Sequence, residues 1–99
     1  MTRIVVSPKA DADVNDMLQR LFDLAGPAVA RKYAQELESI YERLAIFPES
    51  GARRKSLGAE TRIAVLSPYV VVYDHVNATV RIIRVIDGRR NITRRLVRE

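Results

Sequence analysis

Histidine is the residue type best suited to act as a general base near neutral pH, and the 99 residues contain one histidine, His75. His75 is flanked by Asp74 and Val76 in a short connection between two predicted strands, which favours a solvated turn residue. The tyrosines fall on apolar stripes or in strand patterns, where a buried ring with its hydroxyl near the surface is typical: Tyr33, Tyr41, Tyr69 and Tyr73. The sequence therefore predicts no catalytic residue.

The other side chains that could do chemistry also lack a suitable arrangement. The chain has no cysteine, which excludes a thiolate nucleophile, a disulfide framework and a cysteine zinc site. Its serines lack the Gly-x-Ser-x-Gly elbow of hydrolases. Asp11, Asp13 and Asp16 are explained as negative charges at the start of a helix, and their spacing is not that of a calcium-binding loop. We expect neither a metal ion nor a cofactor.

Arginines are the more informative set. The formal net charge is +5, and residues 88–99 alone carry five basic side chains and one acidic side chain. Strand alternation from Thr79 to Asp87 places Arg84 on the mostly apolar face, so we expect its guanidinium either at the sheet edge or in a partly buried pair. We predict a basic patch that binds an acidic protein surface or a nucleic acid, composed of Arg62, Arg84, Arg89, Arg90, Arg53, Arg54 and Lys55.

These side chains must be positioned by a single domain spanning residues 1–99, since two domains would each approach the size at which cores fail. A β-branched strand at residues 3–6 ends at Ser7-Pro8, where serine can cap a helix and proline suits its first position. Apolar residues at intervals of three and four predict helices from Lys9 to Ala25 and from Pro27 to about Ile46. The very short connection at Gly26-Pro27 predicts an antiparallel helical hairpin.

The second half of the chain changes to a period of two. Three runs rich in Val, Ile, Tyr and Thr predict an antiparallel meander of strands at residues 61–66, 69–74 and 79–87. Residues 48–60 have no period, which predicts a surface loop with the basic triplet at its centre. The fold class is therefore α+β, with the N-terminal strand and the hairpin packed on an antiparallel sheet.

Two expectations concern the ends of this domain. Ile4 and Val6 should be buried where the N-terminal strand enters the sheet, in a strand order that the sequence leaves open. Residues 88–99 form a basic C-terminal extension that is expected to be too polar to join the core and to be partly mobile or ordered by a partner, although Ile92, Leu96 and Val97 could anchor a turn or a short helix.

The same segments resemble the RelE/ParE superfamily of bacterial toxins over nearly the whole chain, and the long hairpin and arginine-rich ending are most similar to the ParE branch. One departure is Asp87, where a histidine is usual in the superfamily. The segments that carry the resemblance are Ser7-Pro8 with Ala10, Leu44-Ala45-Ile46-Phe47-Pro48 with Gly51, Tyr69-Val70-Val71-Val72-Tyr73, and Val80-Arg81-Ile82-Ile83-Arg84-Val85-Ile86-Asp87-Gly88-Arg89-Arg90.

The resemblance implies a toxin of a type II toxin–antitoxin system that inhibits DNA gyrase, and so DNA replication, by protein binding. A ParD-like antitoxin would neutralise it, and operator DNA would be contacted only through that antitoxin. Apolar helix faces are the candidates for antitoxin contact, in the manner of a helix bound in a groove: Leu18, Leu21, Phe22 and Val29.

Two alternatives stay open on the sequence alone. A RelE-like chain would be a ribosome-dependent mRNA endoribonuclease, although the C-terminal stretch has no tyrosine or histidine to act as the acid or base that such nucleases tend to carry there. A third reading is a non-toxic regulatory binding partner. In each case the expected location is the cytoplasm, because no apolar run approaches the roughly 20 residues that span a bilayer.

Overall fold

The computed structural model describes residues 2–99 and confirms the α+β class. One strand and two long helices precede a group of four strands, and a short helix follows them. The elements are β1 (Arg3–Val6), α1 (Pro8–Ala25), α2 (Pro27–Ile46), β2 (Ala52–Arg53), β3 (Thr61–Leu66), β4 (Tyr69–Val76), β5 (Thr79–Asp87) and α3 (Arg94–Arg98). The predicted strands and helices are all present, and β4 continues two residues beyond its predicted end.

The five strands form one sheet in the order β1-β5-β4-β3-β2. The expected meander of β3, β4 and β5 is antiparallel. The sheet as a whole is mixed, because β1 joins the free edge of β5 and runs parallel to it, with Ile4 opposite Val80. Val6 was expected in the core and is 37 % exposed, since β1 is an edge strand with a neighbour on one side only.

Local signals begin and end the two long helices. Ser7 caps α1, since its Oγ accepts a hydrogen bond from the Ala10 N–H at 3.0 Å and donates one to the Ile83 carbonyl at 2.9 Å. Gly26 ends α1 with a positive φ of 90°, a conformation that glycine adopts without a steric penalty. Pro27 then opens α2 at once, which confirms the predicted hairpin.

The helical hairpin packs on one face of the sheet and forms the first core. Its helix side comes from the predicted stripes and its sheet side from alternating positions of three strands. The buried members are Ala10, Met17, Leu37, Ile40, Leu44, Ala64, Leu66, Val71, Tyr73, Val80, Ile82 and Val85. These side chains determine which face of the sheet the hairpin covers.

A second core covers the opposite face of the sheet and corrects two predictions. Residues 88–99 do join the core, because Thr93 caps α3 and Val97 is 2 % exposed against Leu57, Val72 and Ile86. The single turn of α3 points Val97 toward the core, while the arginines of this helix stay exposed. The segment at residues 48–60, which was predicted to be a surface loop, also contains the strand β2 and the buried Leu57.

The alternation predicted for β5 fails in the middle of the strand. Tyr73 lies opposite Ile82 but Val72 lies opposite Arg84, so Ile83 is an extra residue in β5. The bulge shifts the phase of the side chains, and Val85 therefore packs in the first core while Ile86 packs in the second. A period of two cannot reveal this shift, because the bulge is defined by pairing with β4.

Tyr73 fastens the loop after α2 to the sheet. Its hydroxyl donates to the Pro48 carbonyl at 2.8 Å and accepts from the Gly51 N–H at 2.9 Å. Gly51 is required for this approach, because a Cβ at that position would lie 2.6 Å from the Ile63 carbonyl oxygen. The side chain of Tyr73 is fully buried, so both backbone groups depend on its hydroxyl.

We predict that Tyr73→Phe lowers the free energy of unfolding by about 1–3 kcal/mol, because it leaves two backbone groups without a partner. Urea unfolding measures the change. Tyr33→Phe is the matched control: its exposed hydroxyl makes one hydrogen bond, to the Ser67 carbonyl at 3.2 Å, so its loss should change stability by less than about 1 kcal/mol. Equal losses in the two variants would contradict the role assigned to Tyr73.

Candidate target-binding surface

Arg84 is a half-buried side chain whose guanidinium is bound to other parts of the fold. Its Nε and Nη2 donate to the two carboxylate oxygens of Asp13, at 2.7 and 3.0 Å, and its Nη1 donates to the Leu96 carbonyl at 2.8 Å. The hydrogen bond to Asp13 is the main reason that the pKa of Arg84 is raised. The predicted partly buried pair is therefore present, and it ties β5 to α1 and α3.

Arg62 is likewise occupied by the protein's own backbone. Its Nη1 donates to the carbonyls of Glu49 and Gly51, at 3.0 and 2.8 Å. It lies opposite Tyr73 in the sheet, so both side chains hold the loop that follows α2. Arg62 therefore has a structural task at the position where a target contact was predicted.

Arg89 and Arg90 lie just beyond the end of β5. The Nη2 of Arg89 donates to Asp87 at 2.6 Å, and its guanidinium remains largely exposed. Side-chain and backbone hydrogen bonds from Arg89 lower the pKa of Asp87 to about 2, so this carboxylate is ionised throughout the neutral range. Arg90 lines a cleft of about 160 Å³ with Asp13, Asp16 and Arg20 among its other walls.

The basic triplet lies in β2 and the turn after it, and this turn contacts α3. Leu57 closes the turn through a hydrogen bond from its N–H to the Arg54 carbonyl, and it packs with Val97 in the second core. Arg98 reinforces the contact, since its Nε and Nη2 donate to the Leu57 carbonyl at 3.3 and 3.2 Å. The same guanidinium forms an ion pair with Asp74 at 2.8 Å.

The seven predicted residues therefore form two groups rather than one patch. Arg53 pairs directly opposite Arg62 at the β2 edge, whereas Arg89 follows the end of β5 that lies beside Tyr69. Along the strands, the positions opposite Tyr73 and Tyr69 are four residues apart, or ~13 Å, and across the sheet three strand spacings of ~5 Å separate β2 from β5. The prediction missed Arg94 and Arg95, the exposed arginines of α3, for which the capping residue Thr93 was the available signal.

His75 is not brought together with any of these cations. Its side chain lines an open apolar groove of about 480 Å³ whose other walls are Ile46, Phe47, Pro48, Glu49 and Ser50. Among the tyrosines, burial and the charges of Asp11 and Glu38 raise the pKa of Tyr41 to about 12. Burial also raises the pKa of Tyr73. The groove of His75 is thus lined by none of the predicted arginines, whereas Tyr69 shares a cleft with Arg84 and Arg90.

The predicted antitoxin-contact residues differ in exposure. Leu18 and Leu21 are half-buried against the first core, and Val29 is also half-buried. Phe22 is 50 % exposed, and its neighbour Leu24, which the prediction missed, is 79 % exposed. The end of the hairpin therefore exposes two apolar side chains, Phe22 and Leu24, which lie two residues apart on different faces of α1; we call this end the hairpin surface.

Comparisons with known proteins bear on this arrangement. A family model described as the ParE toxin of the type II toxin–antitoxin system parDE matches residues 4–92. The chain belongs to the ParE toxin family. It is 28 % identical to Toxin ParE3 of Caulobacter vibrioides over 96 residues, which cover 97 % of this chain and 96 % of that protein.

Among solved structures, the fold is similar to a chromosomal ParDE toxin–antitoxin system from P. aeruginosa. The TM-score is 0.74 with 24 % sequence identity, and the match covers 88 % of this chain and 96 % of that one. Membership of the ParE family confirms the resemblance read from the sequence. Across residues 2–99, the ParE fold of this chain contains no helix long and apolar enough to cross a membrane.

The helix α3 lies beyond the ParE match at residues 4–92, and an ion pair helps to attach it to the sheet. Asp74 is central to this attachment, since it accepts hydrogen bonds from Arg98 and from the Thr61 hydroxyl. Burial alone would raise the pKa of Asp74, but the hydrogen bonds from Arg98 and Thr61 and the charge of Arg98 lower it overall.

We predict that this attachment weakens in acid. A carboxylate with a lowered pKa stabilises the fold above its unfolded value of 3.8, and the contribution is lost as the pH falls through the folded value. Asp74→Asn should therefore lower stability at pH 7 by about 1 kcal/mol, with a difference from wild type that shrinks below about pH 4. Urea unfolding across this range measures it, with the exposed Glu60→Gln as control; a difference independent of pH would contradict the assignment.

Proposed function

We propose that this chain is a ParE toxin that inhibits DNA gyrase, and hence DNA replication, by binding rather than by catalysis, and that a ParD-like antitoxin neutralises it. The observation that carries the proposal is the family match over residues 4–92, which includes both long helices and all of the sheet except the first residue of β1. The place of action is then the cytoplasm. Operator DNA is contacted through the antitoxin.

The use of the arginines supports binding over RNA cleavage. Cleavage at a 2′-hydroxyl needs a base, a proton donor and cations arranged around one phosphate. Arg62 and Arg84 use their donors on backbone carbonyls and on Asp13. His75 lies in a groove that none of the predicted arginines lines. This separation favours a toxin that works through its surface.

Arg89 and Arg90 are the proposed contacts to the target. Both are exposed beyond the end of β5, and neither holds an element of the fold in place, because the Arg89 side chain bonds only to the nearby Asp87 among the described residues. Exposed cations of this kind steer and orient an acidic partner. Their removal is therefore expected to change function without changing the fold.

We predict that induction of the wild-type chain without antitoxin arrests growth, and that the purified chain inhibits supercoiling by gyrase. Arg89→Ala/Arg90→Ala should reduce the inhibition by at least about tenfold, since contacts of charged groups at an interface contribute 1.4 kcal/mol or more. Antitoxin binding should be mostly unchanged.

The matched control for that experiment is Arg31→Ala/Lys32→Ala, which removes two adjacent exposed charges from α2. It should inhibit gyrase like the wild type. No effect of the wild type on gyrase at large molar excess would overturn the target, and new cleavage of mRNA in a translation extract would support the nuclease alternative instead. Normal growth on induction would indicate a non-toxic partner.

The exposed hairpin surface is the proposed antitoxin site. Phe22 and Leu24 are the residues that a partner segment wrapped around the end of the hairpin would cover. Fully burying such a side chain contributes about 1.5–3 kcal/mol.

We predict that Phe22→Ser/Leu24→Ser weakens binding of the co-expressed antitoxin by at least about tenfold, because a serine at each position removes apolar area from the interface. Isothermal titration calorimetry measures the change. Val65→Ser is the control, since Val65 is 64 % exposed on the opposite face of the sheet. Equal affinity of the hairpin variant and the control would place the antitoxin elsewhere.

A further inference from the structure

The fold joins two basic segments that are far apart in the sequence. Residues 53–55 and α3 meet through the contact of Leu57 with Val97. Arg98 bridges them, because it donates to the Leu57 carbonyl and lies against Gly58, where no Cβ could be accommodated. We call the resulting surface the basic face; it consists of Arg53, Arg54, Lys55, Arg94 and Arg95.

The excess positive charge of the molecule is concentrated around this face. Residues 51–59 and 93–98 carry six basic side chains and no acidic side chain, whereas the whole chain has a net charge of +5. The remainder of the chain therefore has a net charge of −1. A molecule charged in this way presents this side to a polyanion.

Four side chains of the basic face are available to a ligand. Arg54, Lys55, Arg94 and Arg95 are exposed, and within residues 2–99 none of them donates a side-chain hydrogen bond or joins an ion pair. Arg53 donates to the Ala59 carbonyl at 3.0 Å, which braces the turn. The face thus combines four exposed cations with a turn that hydrogen bonds and the packing of Leu57 attach to the fold.

We propose that the basic face binds the phosphate backbone of double-stranded DNA. The chemistry of the face distinguishes this ligand from the alternatives. Residues 51–59 and 88–98 contain no aromatic side chain, whereas single-stranded nucleic acid is held mainly by stacking on aromatic rings. Protein interfaces are anchored by buried apolar and aromatic groups, which the exposed part of this face also lacks.

This inference goes beyond the proposed function, which brings DNA to the chain only through an antitoxin. Direct contact would hold the toxin against the duplex on which its target works. The basic face lies across the sheet from the hairpin surface, so a partner on Phe22 and Leu24 leaves it open. The inference can be tested without gyrase or antitoxin, so its failure would leave the proposed function untouched.

The test is fluorescence anisotropy of the full chain with a short labelled duplex of random sequence, over a series of salt concentrations. Four phosphate contacts predict that the logarithm of the affinity falls with the logarithm of the salt concentration with a slope of about −3 to −4. Arg54→Ala/Lys55→Ala/Arg94→Ala/Arg95→Ala should bring the slope near zero and weaken binding at low salt by at least about a hundredfold.

A matched control removes the same number of charges from the helices: Arg20→Ala/Arg31→Ala/Lys32→Ala/Arg43→Ala, all exposed. It should keep the slope of the wild type. If both variants lost the same affinity for the duplex, the net charge of the protein would explain the binding and the proposal would be overturned. The absence of duplex binding at low salt would also overturn it. Tighter binding of single-stranded DNA, of RNA or of polyglutamate than of the duplex would overturn it too.

A measurement on the wild type keeps the proposal falsifiable if the quadruple variant fails to fold. In a titration with the duplex, NMR shifts of backbone amides should concentrate at residues 53–56 and 93–96. The amides of residues 31–43, on the opposite side, should stay in place. Shifts confined to the hairpin would overturn the assignment.

Discussion

The ion pair of Arg84 with Asp13 is the contact on which both layers of the molecule depend. Asp13 accepts two hydrogen bonds from Arg84 and a third from the Val85 N–H at 3.0 Å. One carboxylate is therefore the partner of a side chain and of a backbone donor at the edge of β5. The third donor of Arg84 holds the Leu96 carbonyl. Because a half-buried charge without its partner is unfavourable, α1, β5 and α3 keep one relative arrangement.

The bulge at Ile83 lies directly before this pair. Beyond Val6 the edge of β5 has no strand beside it, and the side chain of Asp13 takes over there as the hydrogen-bond partner. The shifted phase turns Val85 toward the first core and Ile86 toward the second, the reverse of the predicted alternation. Both faces of the sheet carry a buried core, and α3 belongs to the second one through Val97.

The helices and strands could be predicted because short segments of the sequence determine them. The docking of α3 and the roles of the arginines could not, because they depend on contacts between residues that are distant in the chain. Ser7-Pro8 and Gly26-Pro27 carry the helix boundaries within a few residues, and the period of two located β3 and β5 at their observed bounds. The docking of α3 depends on Val97 meeting Leu57, forty residues away in the chain. The role of each arginine is equally nonlocal: Arg84 is structural because Asp13 faces it, whereas Arg54 has no such partner within residues 2–99.

The arginines of this chain divide into those that support the fold and those whose side chains are left exposed. Arg62, Arg84 and Arg98 donate to carbonyls and carboxylates of the fold, and in doing so they hold the neighbouring basic segments in place. Guanidinium suits this task because its five donors reach several acceptors at once. The exposed cations then lie on backbone segments that these hydrogen bonds hold in place, which lowers the conformational entropy lost when a partner binds them. Under the proposed function, affinity for the target would come from this preorganisation.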